Sequence, residues 1–414
     1  MNEVATIREV PRFSMPEREL RWGRVRKLME RDRLDVIVVP RHAGNWDVGN
    51  ANARYLTGIG GNGSGCAVVF PRAGEVTAIV GPVPSIEHWL AFQDWVKDIR
   101  MAGRNMSLSQ GNSGAGGHRY GGAIVERLKE LGIEHGRIGI AGLTGTTRSP
   151  EGIVPHGAFV RISEAFPNAE IVDAGDLLDE ARVLKSAEEI AFLERADTLA
   201  EGAFEVLLRE AQPEVPHSVV YIHMLANMVE NGGEIPAMLL WSAGNPQPSR
   251  NVMMPTPQKL QAGNIIGVEI DGNYGGYRSQ FSSNAVIGKL PPDYADMFKV
   301  QQDALQRCYL QIRPGVRLGD LTEGSIQAAK GTPYTCQLIM HGRGLGDDGP
   351  MIVFGTQDKK VLNWMIEENN AFIVKPVVWL HDWEKWVCWG DSIVVTSNGS
   401  RRLGKRPAEI TEIT

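Results

Sequence analysis

A chain of 414 residues exceeds what one hydrophobic core usually organises, so two domains are expected. Its 43% hydrophobic and 22% charged residues are the balance of a globular protein and exclude a disordered one. The formal net charge of -6 comes from interspersed acidic and basic residues with no long single-sign block, which argues against nucleic acid or an anionic membrane surface as a partner.

Taken in order, Met1 through Leu20 carry Glu, Arg and Pro throughout and lack the apolar core of a signal peptide. No later stretch approaches the roughly 18 apolar residues of a membrane span. A helical pattern from Glu17 to Arg31 leads into the apolar run Leu34 to Pro40, which reads as a strand buried on both faces. Strands are expected at Gly65 to Phe70 and Val76 to Val80, a helix near Gly122 to Leu131, and a strand near Arg137 to Ala141. The Gly/Ser stretch Gly111 to Gly117 reads as a loop. Such alternation implies a parallel or mixed sheet with helices on its faces.

Ser186-Ala-Glu-Glu189 is a capping box, and it sets Ile190, Leu193, Ala196, Ala200, Phe204 and Leu207 on one helical face. From about Leu260 the texture turns strand-rich: Ile265 to Ile270, Gln280 to Ile287, Gln337 to His341, Ala371 to Trp379 and Ser392 to Thr396. Helices near Pro292 to Ile312 and Leu318 to Lys330 interrupt them, the pattern of an α+β domain. Cys66, Cys308, Cys336 and Cys388 lie far apart with no CxxC pair, which favours reduced core thiols in a cytoplasmic protein over disulfides or a zinc knuckle.

Some motifs exclude chemistry. Gly58-Ile-Gly-Gly-Asn-Gly63 matches GxGxxG, but an apolar strand follows it and supplies no helix dipole for a pyrophosphate. GxSxG, HExxH and Walker A patterns do not occur, which removes the commonest serine-hydrolase, zincin and P-loop readings.

Asn52-Ala-Arg-Tyr-Leu-Thr-Gly58, Val183-Leu-Lys-Ser-Ala-Glu-Glu-Ile190, Asp271 to Gly288, Arg313-Pro-Gly-Val316 and His341-Gly-Arg-Gly-Leu345 together resemble the creatinase / Xaa-Pro peptidase ("pita-bread") family. The segments come in that family's order and cover nearly the whole chain. The resemblance implies an α/β N-terminal domain over residues 1–182, an α+β pita-bread catalytic domain over 183–414, and a homodimer in which the N-terminal domain helps to wall the partner's pocket.

In the metallopeptidases of this family, two metal ions are held by an Asp, a second Asp eleven residues on, a His in a HGxG segment, a Glu before a Pro and a final Glu. Carried over by position, these become Glu269, Gln280, His341, Lys375 and Gly390. One carboxylate, one amide and a cation cannot offset the charge of two divalent ions, so no metal and no other cofactor is expected. An ammonium at Lys375, facing Glu269, stands where a metal charge would sit and can stabilise an oxyanion or carboxylate. Desolvation could alternatively lower its pKa until it acts as a base. His341, with a reference pKa near neutrality, is the expected acid/base. A relic salt bridge in an inert scaffold is the competing account.

Further residues are assigned to substrate binding. Asp271 is a replacement acid or a turn-stabilising Asp before Gly272, and Arg343 is placed to bind a substrate anion. Creatinase is the best-known metal-free member of that family and an analogy for hydrolysis without metal, yet its substrate-contacting His falls here on Asn251-Val252 and its Glu on Lys375, which argues against creatine as substrate. Five of the ten tryptophans (Trp364, Trp379, Trp383, Trp386, Trp389) flank this region. Trp379 and Trp389 border Lys375 and Gly390, where loss of a side chain makes room for a flat aromatic or quaternary-ammonium ligand. Core packing competes for most of them. The expected function is metal-independent hydrolysis of a small nitrogen-containing or aromatic compound. A lyase or decarboxylase that anchors a carboxylate on Lys375, a peptidase with one residual metal, and a non-catalytic binding protein are the alternatives.

Overall fold

The computed structural model describes residues 11–42, 50–61, 65–81, 86–102, 119–145, 148–248, 256–380 and 383–414. The chain divides into two compact units, Met1–Arg182 and Val183–Thr414.

The first unit contains strands β1 (Val36–Val39), β2 (Cys66–Pro71), β3 (Thr77–Val80), β4 (Asp98–Met101), β5 (Arg137–Ile140) and β6 (Glu170–Asp173). Its helices are α1 (Met15–Arg31), α2 (Ala51–Thr57), α3 (Ile86–Phe92), α4 (Arg119–Glu130), α5 (His156–Ala165) and α6 (Gly175–Val183). The strands form one mixed sheet in the order β4-β3-β2-β1-β5-β6, antiparallel at β1–β2 and β2–β3 and parallel elsewhere. Continuous apolar runs such as Val36–Val39 suit a central strand covered on both faces, and that strand is fully buried. The expected elements form within a few residues of their sequence bounds. Downstream of Gly58 the chain enters strand β2 rather than a helix. The stretch 111–117 lies outside the described residues.

The second unit opens on α7 (Ala187–Glu210), followed by α8 (His217–Glu230), α9 (Pro292–Gln311), α10 (Leu318–Ala328) and the short α11 (Lys359–Leu362). The capping box forms as read: Glu189 N donates to Ser186 Oγ at 3.1 Å, and Ser186 N donates to Glu189 Oε2 at 2.8 Å. Leu193, Ala196, Ala200, Phe204 and Leu207 are buried along the helix. One sheet of this unit contains β7 (Leu239–Gly244), β8 (Ile265–Tyr274), β9 (Tyr277–Ile287) and β16 (Thr411–Ile413), in the order β16-β9-β8-β7. The other follows the order β11-β10-β12-β14-β15 from β10 (Thr335–Gly342), β11 (Met351–Ile352), β12 (Ala371–Leu380), β14 (Asp391–Thr396) and β15 (Gly399–Arg402). Strand β13 (Lys385–Cys388) pairs beside β12. The two sheets meet where Ser282 and Gly390 exchange backbone hydrogen bonds of 3.1 Å.

One turn sets the register that matters. Gly275 and Gly276 both have positive φ, 58° and 83°, the two-residue connection that matches strand twist and that favours glycine. It pairs Tyr274 with Tyr277, and hence Asp271 with Gln280 and Glu269 with Ser282.

Candidate functional site

Residues directly opposite in an antiparallel pair share a face, as do residues two apart in one strand. The hairpin register therefore puts Glu269, Asp271, Gln280 and Ser282 on one face of the β8–β9 sheet. From the other sheet, Ile339 pairs with Lys375 and His341 with Ile373, so His341 and Lys375 emerge together. The two faces meet at the lysine.

Lys375 Nζ donates to Glu269 Oε2 at 2.8 Å and to Gln280 Oε1 at 3.0 Å. Gln280 Nε2 donates to the same Glu269 oxygen at 3.4 Å. Lys375 is 3% exposed and Glu269 4%. The ammonium thus lies in the space between the positions corresponding to the family's two Asp ligands.

Gly390 departs from expectation. A Cβ there would lie 2.3 Å from Lys375 Cβ, 2.5 Å from Val374 O and 2.6 Å from Lys375 Cα. The space that a side chain at 390 would need is filled by the β12 backbone, so its loss opens no room for a ligand. These positions supply one carboxylate, one amide and an ammonium, and among the described residues no group of three or more His, Cys, Asp or Glu side chains is placed to hold a metal ion. The donor set does not fit a dinuclear divalent centre.

His341 is 3% exposed. Its Nδ1 faces two acceptors, Asp347 Oδ1 at 3.1 Å and Gly342 O at 3.3 Å, so Nδ1 holds the hydrogen and Nε2 is the basic nitrogen of the neutral ring. Burial pushes its pKa down to about 4; Asp347 opposes this, and the Lys375 and Arg343 charges add to it. The ring is neutral near pH 7, a proton acceptor there rather than the evenly poised shuttle expected from its reference pKa. Asp347 is buried, which alone would raise its pKa, yet His341, Arg343 and Arg278 hold the carboxyl well below the usual range.

Arg343 Nη2 donates to Asp271 Oδ1 at 2.9 Å, Nη1 to Asp347 Oδ1 at 3.1 Å, and Nε to Arg278 O at 3.2 Å. With 2% exposure, this guanidinium bridges two carboxylates instead of presenting an open anion site. Asp271 lies inside β8, away from the turn at Gly275–Gly276, and serves as Arg343's partner. The turn-stabilising role is therefore excluded.

The tryptophans divide by strand parity. Trp379 is four residues from Lys375 and shares its face; with Trp383 it packs on a cluster of Val377, Trp386 and Cys388. Trp389 points the other way. It is 1% exposed and packs with Val378, Val387 and Tyr294, with the Arg402 and Arg406 guanidinium groups each 4.9 Å from its ring centre. Trp389 is a core residue and does not wall the Lys375 site. Trp364 packs edge-on against Phe372 at 5.9 Å. Asn251 lies outside the described residues.

Three features had no sequence assignment. Asp347 orients His341. Lys185 Nζ donates to Asp348 Oδ2 at 3.1 Å with both side chains almost fully buried, tying the start of the unit to the loop after His341. Asp197 and Asp391 share a buried cluster with Arg402 and Arg406; burial, then Asp391, raises the Asp197 pKa to about 8. The spacing of Asp347 and Asp348 just past the HGxG-like segment was the available signal for the first two. All four cysteines are buried free thiols. Among the described residues no helix is long and apolar enough to cross a membrane.

Comparison with known proteins adds the lineage. The chain is similar to the uncharacterized peptidase YqhT of Bacillus subtilis, at 23% identity over 87% of this chain and 93% of the relative. It is also similar to the Xaa-Pro dipeptidase of Pyrococcus horikoshii, at 22% identity over 69% and 76% of the two chains. Further matches are creatinase of Bacillus sp., 22% identical over 69% and 70%, and ectoine hydrolase of Halomonas elongata, 20% identical over 61% and 66%. Among solved structures, the Xaa-Pro dipeptidase from Bacillus anthracis superposes with a TM-score of 0.73, covering 95% of this chain and 99% of that one at 18% identity. The model of the creatinase/prolidase N-terminal domain matches residues 21–184 and that of metallopeptidase family M24 matches residues 191–397: the chain belongs to family M24, with a creatinase/prolidase-type domain ahead of its pita-bread domain.

Proposed function

We propose that this protein hydrolyses a C–N bond in a small molecule without a metal ion, and that it is not a peptidase. One observation carries the reading. The Lys375 ammonium is hydrogen-bonded to Glu269 and Gln280 where the resemblance calls for anionic ligands. That similar proteins include a creatinase and an ectoine hydrolase supports small-molecule chemistry on this fold.

In this reading Lys375 stabilises the oxyanion that forms when water attacks the carbonyl carbon next to the scissile C–N bond, a role suited to a fixed cation in a site largely shielded from water. Glu269 and Gln280 hold the ammonium in place. His341 Nε2 takes the proton from water, Asp347 stabilises the imidazolium, and the proton passes to the departing nitrogen as the C–N bond breaks. Arg343 and Asp271 fix Asp347 and the β8 face.

The competing reading, a metallopeptidase of Xaa-Pro type, is favoured by the names of two of the similar proteins. Purified protein assayed on small amides and on Xaa-Pro dipeptides, with elemental analysis and solvent labelled with heavy oxygen, separates the two. We expect label in the product, activity untouched by chelator, and loss of turnover in Lys375→Met. Dipeptide cleavage that chelator abolishes and manganese or zinc restores would sink the proposal, and turnover without label would point instead to a lyase.

A further inference from the structure

Arg278 lies two residues before Gln280 on β9 and so shares its face. Asn273 is opposite it, as Asp271 is opposite Gln280. At strand rise the Arg278 and Gln280 backbones are about 7 Å apart. Arg278 is therefore the next side chain along the row that holds the Lys375 ammonium through Gln280 Oε1.

Its guanidinium has no hydrogen-bond partner among the described residues, although Arg278 is only 5% exposed. Nε is sealed from water without an acceptor. The ion-pair partner, Asp271 Oδ2, stands 4.0 Å from Nη1, beyond hydrogen-bond range. Both neighbouring carboxylates are engaged elsewhere: Asp271 receives Arg343 Nη2 at 2.9 Å, and Asp347, which the Arg278 charge also reaches, receives Arg343 Nη1 at 3.1 Å. A desolvated fork of N–H donors without acceptors is costly to the resting protein, and its planar geometry matches a carboxylate that accepts two parallel bonds. Water still touches 6% of the Arg278 side chain, 4% of Lys375 and 5% of Glu269, so neither end of the row is sealed. A carboxylate one or two carbons from an amide spans an interval of that order.

We infer that Arg278 is an anion-binding residue of this site, taking a carboxylate of the substrate while the amide carbonyl lies at Lys375. This deepens the proposed C–N hydrolysis and rests on it for the position of the scissile bond: the substrate class becomes small carboxylate-bearing amides. Arg343, which the sequence singled out for this role, is instead the residue that keeps Asp271 and Asp347 from occupying Arg278.

The test titrates four compounds calorimetrically into the full-length protein. N-acetylglycine and succinamate carry a carboxylate on opposite sides of the amide, and N-acetylglycinamide and succinamide are their neutral counterparts. At least one carboxylate is expected to bind roughly tenfold or more tightly than its counterpart, the advantage of a charge-assisted pair over a neutral one. That ratio should fall below about threefold in Arg278→Gln, and by about half or more in Arg278→Lys, which keeps the charge and loses the fork. Melting followed by circular dichroism establishes that each variant is folded, and a ratio between two ligands of one protein is not moved by a merely structural role. Equal affinities within both pairs, no binding of either carboxylate, or a ratio kept in Arg278→Gln, which would assign the carboxylate to Lys375, would each overturn the site. If the preference is found and lost as expected but no amide is cleaved, the anion site stands and the hydrolase reading fails. Cleavage of charged and neutral amides with equal kcat/KM would keep the hydrolase reading and remove the anion site.

Discussion

Replacing Lys375 with Met keeps most of the side-chain volume and removes the ammonium, leaving the Glu269 carboxylate, 4% exposed, without the cation that now lies 2.8 Å away. Breaking a buried pair from one side costs roughly 3–5 kcal/mol, because the remaining charge keeps its desolvation penalty and loses its compensation. For a domain of this size that is a fall in melting temperature of roughly 6–20 °C. Glu269→Gln alone strands the ammonium and should cost a similar amount. The double variant Lys375→Met/Glu269→Gln removes both charges, so it should recover about 2–3 kcal/mol of the summed single losses. Urea unfolding of the four proteins at neutral pH measures this. Strictly additive losses, or a Lys375→Met cost under about 1 kcal/mol, would show that the ammonium is not held by this carboxylate, and the electrostatic account of the site would fall with it.

Gly390→Ala should destabilise by at least ~2 kcal/mol, since its Cβ would meet Lys375 Cβ at 2.3 Å and Val374 O at 2.5 Å and overpacking against backbone cannot relax cheaply; urea unfolding reads it, and a neutral result refutes the close approach. His341 titrates near 6.5 when unfolded but at about 4 in the fold because it is buried. The unfolded chain therefore binds the extra proton between those values, and stability drains away by ~3 kcal/mol as pH falls from about 6.5 to about 4. His341→Gln should flatten that part of the stability curve. Asp197 has the opposite sign: burial and Asp391 raise its pKa to about 8, so the fold keeps a proton that the unfolded chain releases near 4, and stability falls as pH rises through that window. Asp197→Asn should gain on the native protein progressively from about pH 4 to about pH 8, by a few kcal/mol on the order of the shift, as read from melting temperatures across that range.

Much of the frame was legible because periodicity and spacing are local. The capping box at Ser186 and the double glycine at 275–276 act over a few residues, and the eleven-residue gap between Glu269 and Gln280 becomes a shared face once that turn closes. Partners brought by other segments were not legible. That Arg343 would be spent on Asp271 and Asp347 depends on how the loop after β10 folds back, and the Asp197 cluster joins residues nearly two hundred positions apart. Trp389 is the instructive case. Trp386, Cys388 and Gly390 alternate onto the Lys375 face, so an odd-numbered neighbour must point into the opposite core. Adjacency to the site in sequence suggested proximity, whereas strand parity had already excluded it.

The same parity explains why the departures from the family's ligand pattern belong together. With a lysine at 375, the aspartate-to-glutamine change at 280 provides an amide oxygen to receive the ammonium at 3.0 Å and an NH₂ to approach Glu269 at 3.4 Å, where a second carboxylate would have left two negative charges sharing one cation. Glycine at 390 lets β12 and the strand connection approach until no Cβ fits between them, which fixes the lysine's own backbone. Each replacement is costly alone, because an unpaired buried charge or a clash results. Together they give a nearly neutral arrangement in which the ammonium has two acceptors. The three positions thus fit one another around an ammonium, the arrangement that the proposed hydrolysis uses.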